Sequence, residues 1–155
     1  MKILIIEDSA THREHAVNQL GKTHYLTVVS NAKDGLKFIY QGGWDAVLTD
    51  NQLPGYSGQP EAIGWGLALQ AAKAGTPLVG VLTDANHHQD FSSRLMDGLC
   101  ENQSTLRAEL LQIENSKVLF SNKAITRDGK DWEWILLVLT GEEDEPKRPK
   151  EGDNG

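Results

Sequence analysis

Four short apolar runs, each followed closely by a group able to do chemistry, constrain this chain more than any other feature. Residues 45–58 read DAVLTDNQLPGYSG. Ala46, Val47 and Leu48 read as a buried strand, with Asp50 at its carboxyl end and a Pro54-Gly55 turn and Gly58 beyond it. Met1 to Ile6 (MKILII) ends in the acid pair Glu7-Asp8, and Leu78 to Leu82 ends in the hydroxyl of Thr83. Val118 to Phe120 is followed, three residues on, by Lys123. Short continuous apolar runs alternating with helical patterns argue for βαβ units and a parallel sheet. In such a sheet, ligands and chemistry collect outside the carboxyl ends of the strands. Acid pair, single acid, hydroxyl and lysine therefore fall, in chain order, at one edge.

The segments between these runs supply the helices. Ser9 can cap a helix to about Leu20, stopped by Gly21 at the position usual for a left-handed residue. Tyr25 to Ser30 is a further strand, and Asn31 caps a second helix, with Gly42-Gly43 as its stop. A third helix is expected from about Gln59-Pro60 to Ala74, because proline suits a first turn. Gly64 and Gly66 inside it would each cost about 1 kcal/mol of helix propensity against alanine. A last helix, about Lys130 to Leu139, carries Trp132, Ile135, Leu136 and Leu139 at helical spacing. Between Thr83 and Lys123, Phe91, Leu95, Met96 and Leu99 fit one helix, and Leu106, Leu110, Leu111 and Ile113 fit a second.

Composition narrows the setting. The 155 residues suit one domain able to bury roughly 70% of its unfolded surface. Cys100 is the single cysteine, so no internal disulfide framework exists and a cytoplasmic location is expected. The first apolar run is too short for a signal peptide or a membrane span. A net charge of −7 argues against direct DNA binding, which needs a basic face. Residues 141–155 combine proline, glycine and mixed charge without apolar periodicity and read as a disordered tail. No DNA-binding output unit is expected after it.

These residues resemble the receiver domain of response regulators, the phospho-accepting half of two-component signalling. The match rests on Glu7 and Asp8, Asp50, Thr83 and Lys123, and most specifically on the D-x-x-L-P-G-x-x-G string from Asp50 to Gly58. It covers roughly residues 1–140. The resemblance implies a flavodoxin-like, doubly wound α/β fold with a five-stranded parallel sheet in the order 2-1-3-4-5 and helices on both faces. Against that pattern, the forty positions from Thr83 to Lys123 make an enlarged segment at about 86–116, on the face such domains use to signal. Asp50 would be the phospho-acceptor, Thr83 the switch hydroxyl, Phe120 the rotating aromatic and Lys123 the charge on the phosphoryl group. Magnesium would be held by Glu7, Asp8 and Asp50, with the carbonyl of Gln52 completing the shell. Partners would be a histidine kinase or phosphotransfer protein and a downstream protein, with a homodimer allowed. Such a protein is no turnover enzyme, since it catalyses only its own phosphorylation and dephosphorylation.

Departures from the pattern define the alternatives. Ala124 follows Lys123 where the family has proline, and Asp84 follows Thr83 where a small residue is usual. Lys117 is the fallback lysine if the register differs. These features, with the long segment, favour a pseudo-receiver working as a phosphorylation-independent interaction module. An aspartyl phosphatase usually has a second acid two positions after its nucleophile, and Gln52 stands there instead. His87-His88 lacks further spaced ligands and reads as a solvated loop.

The acid cluster carries a liability. Two carboxylates about 4 Å apart repel by about 4 kcal/mol at an effective dielectric of 20, partly offset by a lysine. Magnesium is therefore expected to raise the melting temperature. Asp8→Asn is expected to raise it without metal while abolishing phosphorylation. A metal-free Asp8→Asn protein melting below wild type contradicts this account.

Overall fold

The computed structural model describes residues 1–55, 57–83, 110–121, 125–126 and 129–142. In chain order the elements are β1 (Lys2–Ile6), α1 (Ala10–Leu20), β2 (Tyr25–Val29), α2 (Ala32–Gln41), β3 (Ala46–Asp50), β4 (Gln52–Pro54), β5 (Pro60–Ala62) and α3 (Gly64–Lys73). Then come β6 (Leu78–Leu82), β7 (Leu110–Ile113), β8 (Ser116–Ser121), β9 (Ile125–Thr126), β10 (Gly129–Lys130) and α4 (Trp132–Thr140). The main sheet has six strands in the order β2-β1-β3-β6-β8-β7. Its first five run parallel, which is the doubly wound 2-1-3-4-5 order expected.

Alternation along each strand divides the core into two layers. Leu4, Ile6, Val47, Val79, Val81, Val118 and Phe120 pack on the side of α2 and α3, with Ile39, Leu67, Ala68 and Ala71. Ile3, Ile5, Leu48 and Leu119 pack on the other side with Ala16 and Leu20 of α1 and Trp132, Ile135 and Leu139 of α4. Strands buried on both faces read as continuous apolar runs. This is why β1, β3 and β6 were legible without any period-2 pattern.

Helix ends follow local chemistry. Ser9 Oγ accepts from His12 N (3.4 Å), Asn31 Oδ1 from Asp34 N (2.8 Å) and Asp131 Oδ1 from Trp134 N (2.9 Å), each at an N-cap. Gly42 and Gly141 take positive φ at the ends of α2 and α4. Gly21 does not: its φ of −68° leaves α1 to end without a left-handed residue, against expectation.

Two elements correct the sequence reading. Leu110, Leu111 and Ile113 form β7 rather than a helix, antiparallel to β8 through a tight turn at Glu114-Asn115. Their exposure alternates, Leu110 and Gln112 outward and Leu111 and Ile113 half-buried, which is a strand's period and not a helix's. Glu114 takes the turn with a φ of 53°. The third helix starts at Gly64, not near Pro60, because Gln52–Pro54 and Pro60–Ala62 pair as antiparallel β4 and β5, with Leu53 opposite Glu61. Pro54 and Pro60 sit opposite each other on this two-stranded ribbon, where no ladder bond is lost. Phe91, Leu95, Met96, Leu99 and Leu106, the bulk of the segment 86–116, and the tail from 143 lie outside the described residues.

The late start of α3 changes what its glycines do. A Cβ on Gly64 would lie 1.9 Å from the carbonyl oxygen of Asp50, whereas one on Gly66 meets nothing within 4 Å. Gly66→Ala is therefore expected to stabilise the protein by about 0.5–1 kcal/mol. Gly64→Ala is expected to cost about 1–3 kcal/mol, because backbone must move to admit the methyl group. Urea denaturation of the two variants checks the opposite signs.

Candidate functional site

The carboxyl ends of neighbouring strands build the site. Glu7 follows β1, and its N–H still donates to Val29 O on β2 (3.0 Å). Asp50 ends β3, Thr83 follows β6, and Thr83 N donates to Ser121 O at the end of β8 (3.1 Å). Because β1, β3 and β6 are adjacent, these residues meet at one edge, as their strand-end positions predict.

Glu7 is fully buried and Asp50 is 4% exposed. Between them stands the ammonium of Lys130, fully buried, 2.6 Å from Glu7 Oε2 and 2.9 Å from Asp50 Oδ1. Glu7 Oε1 accepts from Ser9 N (3.0 Å) and lies 3.6 Å from His12 Nδ1. Asp8 is exposed at the mouth. The Arg13 guanidinium donates to the carbonyls of Glu7 (2.9 Å) and Asp8 (2.7 Å), holding the turn that carries both acids.

Asp50 is fixed from behind. Asn51 O accepts from Ile63 N and Gly64 N (3.0 Å each), and Asn51 Oδ1 accepts from Trp65 N (3.2 Å). The start of α3 is thereby tied to the residue next to Asp50, and the absence of a side chain at Gly64 allows that approach.

Burial pushes the Glu7 carboxyl above its ordinary range, against the opposing pull of Lys130. Burial also works against the Lys130 ammonium, but Asp50 and Glu7 together outweigh it and hold its pKa above the ordinary 10.5. Oxygens of Glu7, Asp8 and Asp50 all lie within 4.8 Å of one another. Three carboxylates against one ammonium leave a formal surplus of two negative charges, and the donors are hard oxygens. That donor set fits magnesium, which is content with a few carboxylates and waters. Gln52, half-buried, begins β4 two residues beyond Asp50.

Lys130 is a site residue that sequence reasoning did not select. Lys123 lies outside the described residues, as do Asp84 and Ala124. Lys117 is exposed near the start of β8, opposite Leu78, at the other edge of the sheet. The sequence pattern predicts Lys130 as the first residue of the last helix. It instead closes the β9–β10 hairpin, where Lys130 pairs with Ile125. Gly129 packs against α1 so closely that a Cβ there would lie 2.4 Å from His15 Nδ1 and 3.3 Å from His12 Cδ2. Trp132 Nε1 donates to His12 O (3.1 Å), seating α4 on the same helix. Phe120 is buried in the layer under α3, and Thr83 is buried beside the acids' edge.

If Lys130 neutralises two buried acids, removing its charge should expose the cost of both. Lys130→Met without metal is expected to lose about 3–5 kcal/mol near neutral pH. The loss should shrink in acid, since Glu7, already raised by burial, becomes protonated there. Glu7→Gln, which leaves one acid for one lysine, should cost far less. On the alkaline side, the stability due to Lys130 is lost as pH rises through its raised folded value. Denaturant titrations at about pH 8 and about pH 5 decide the matter; a deficit for Lys130→Met that is equal at both would exclude this electrostatic role.

No family model matches the chain, and no curated protein matches it. Solved structures do. A two-component response regulator from Clostridium difficile aligns at a TM-score of 0.53 and 16% identity, covering 92% of this chain and 91% of that one. The chemotaxis protein CheY4 of Vibrio cholerae gives 0.53 and 13%, covering 91% and 96%. The receiver domain of the sensor histidine kinase PA1611 from Pseudomonas aeruginosa, solved with magnesium in its active-site cleft, gives 0.51 and 20%, covering 90% and 97%. The chain has the fold of response-regulator receiver domains. Among the described residues, no helix is long and apolar enough to cross a membrane.

Proposed function

We propose that this chain is a phospho-accepting receiver, phosphorylated on Asp50 by a histidine kinase or phosphotransfer protein and acting through protein contacts. The observation that carries the reading is Lys130 bridging Asp50 and Glu7 beside Asp8, at the carboxyl edge of a sheet with the receiver fold. A carboxylate attacks phosphorus poorly because both partners are negative, so the transfer depends on positioning and neutralisation. An oxygen of Asp50 would bond to phosphorus as the bond from phosphorus to the donor imidazole nitrogen breaks, and the freed imidazole takes up a proton from solvent.

Each residue has a part in this. Asn51, tied to the start of α3, holds Asp50 against displacement. Lys130 meets the incoming phosphoryl oxygens with a charge already in place, so little reorganisation is required. Magnesium, which Glu7, Asp8 and Asp50 would hold, would supply the remaining neutralisation. Glu7, with Ser9 N on one oxygen and Lys130 on the other, orients the lysine and adds negative charge near the metal position. The Thr83 hydroxyl answers the new phosphoryl group, and Phe120 carries the change toward the face formed around β6 and β8.

Intact-protein mass after incubation with acetyl phosphate and magnesium tests the proposal. Wild type should gain one phosphoryl group, and Asp50→Asn none. Lys130→Ala should slow the gain by at least about tenfold, as expected when a preorganised charge is removed. Absence of any gain in wild type would leave the interaction-module reading standing, the more so if magnesium does not bind.

A further inference from the structure

Lys130 reaches the acids from a ribbon whose described residues pair at two positions, Gly129 with Thr126 and Lys130 with Ile125. An isolated two-stranded ribbon is marginal at best, so its position must be set from outside. Gln19, near the end of α1, makes polar contacts that contribute to this, beside the packing of Gly129 on α1 and the bond from Trp132 Nε1 to His12 O. Gln19 Nε2 donates to Lys130 O (3.2 Å). Its Oε1 accepts from Trp132 N (2.7 Å) and from Glu133 N (3.2 Å). One side-chain amide thus binds the backbone of the lysine and the first turn of the helix that follows it.

We propose that Gln19 is a positioning residue for phosphoryl transfer to Asp50, acting through Lys130. This inference rests on the receiver reading above. The two halves of the amide do different jobs. The oxygen serves α4 as a cap donated by another helix, alongside Asp131, whose Oδ1 takes Trp134 N. The nitrogen holds the carbonyl of Lys130, and so helps to set the point from which its side chain starts. A carboxylate at position 19 would keep the first job, with its charge favoured at a helix N-terminus, and lose the second. Displacement of about 1 Å at a catalytic charge is enough to slow a reaction markedly.

A double-mutant cycle separates positioning from general support. The rate of phosphorylation by acetyl phosphate at saturating magnesium would be measured for wild type, Gln19→Glu, Gln19→Met, Lys130→Ala and the Gln19→Glu/Lys130→Ala double variant. Gln19→Glu is expected to melt close to wild type yet react at least about tenfold more slowly. Gln19→Met should be slower and also melt lower. In the Lys130→Ala background, Gln19→Glu should have no further effect. Equal slowing in both backgrounds, or a Gln19→Glu rate equal to wild type, overturns the positioning role while leaving the receiver reading intact. Wild type that takes up no phosphoryl group overturns both.

Discussion

A single ammonium between two buried carboxylates is the interaction on which the rest of this structure depends. Glu7 and Asp50 end neighbouring parallel strands, so the fold forces them together before any ligand is considered. Two ionised acids out of water at that spacing would repel strongly. Lys130, within 3 Å of both, makes the arrangement tolerable. It links residue 7 to residue 130, so the end of the first strand and the ribbon before the last helix are joined at the chemical centre of the molecule.

The surroundings are arranged to hold this triad. Arg13 pins the carbonyls of Glu7 and Asp8, Asn51 ties Asp50 to the start of α3, and the hairpin before α4 is pressed against α1. Three separate loops are thus each clamped by a helix. Preorganisation of this kind is what a phosphoryl acceptor needs, because the reaction asks the protein for position and charge and for little else. The surplus of negative charge left after Lys130 is counted fits the divalent cation that the proposed function calls for.

Most of the acid edge was legible in the chain. Glu7, Asp8, Asp50 and Thr83 sit immediately after apolar runs too short for helices, and a parallel sheet sends such positions to one edge whatever the details of packing. The errors have local causes. Leu110, Leu111 and Ile113 fit a helical stripe and a strand equally over so few residues, and the turn at Glu114-Asn115 decided for the strand by pairing them with β8. Pro60 suits the first turn of a helix, but it also tolerates an edge ribbon, and β4–β5 took it.

The strand order followed from the resemblance to receiver domains. The two-sided core and the acid positions came from properties that each residue carries locally: hydrophobicity, run length and place at a strand end. The identity of the site's described lysine did not. Lysines at 117, 123 and 130 are alike in sequence, and no periodicity ranks them. Only the docking of a two-residue ribbon on α1, permitted by the bare backbone of Gly129, brings Lys130 to Asp50. Contacts between residues more than a hundred positions apart depend on how whole elements pack, and that is decided by the tertiary structure alone.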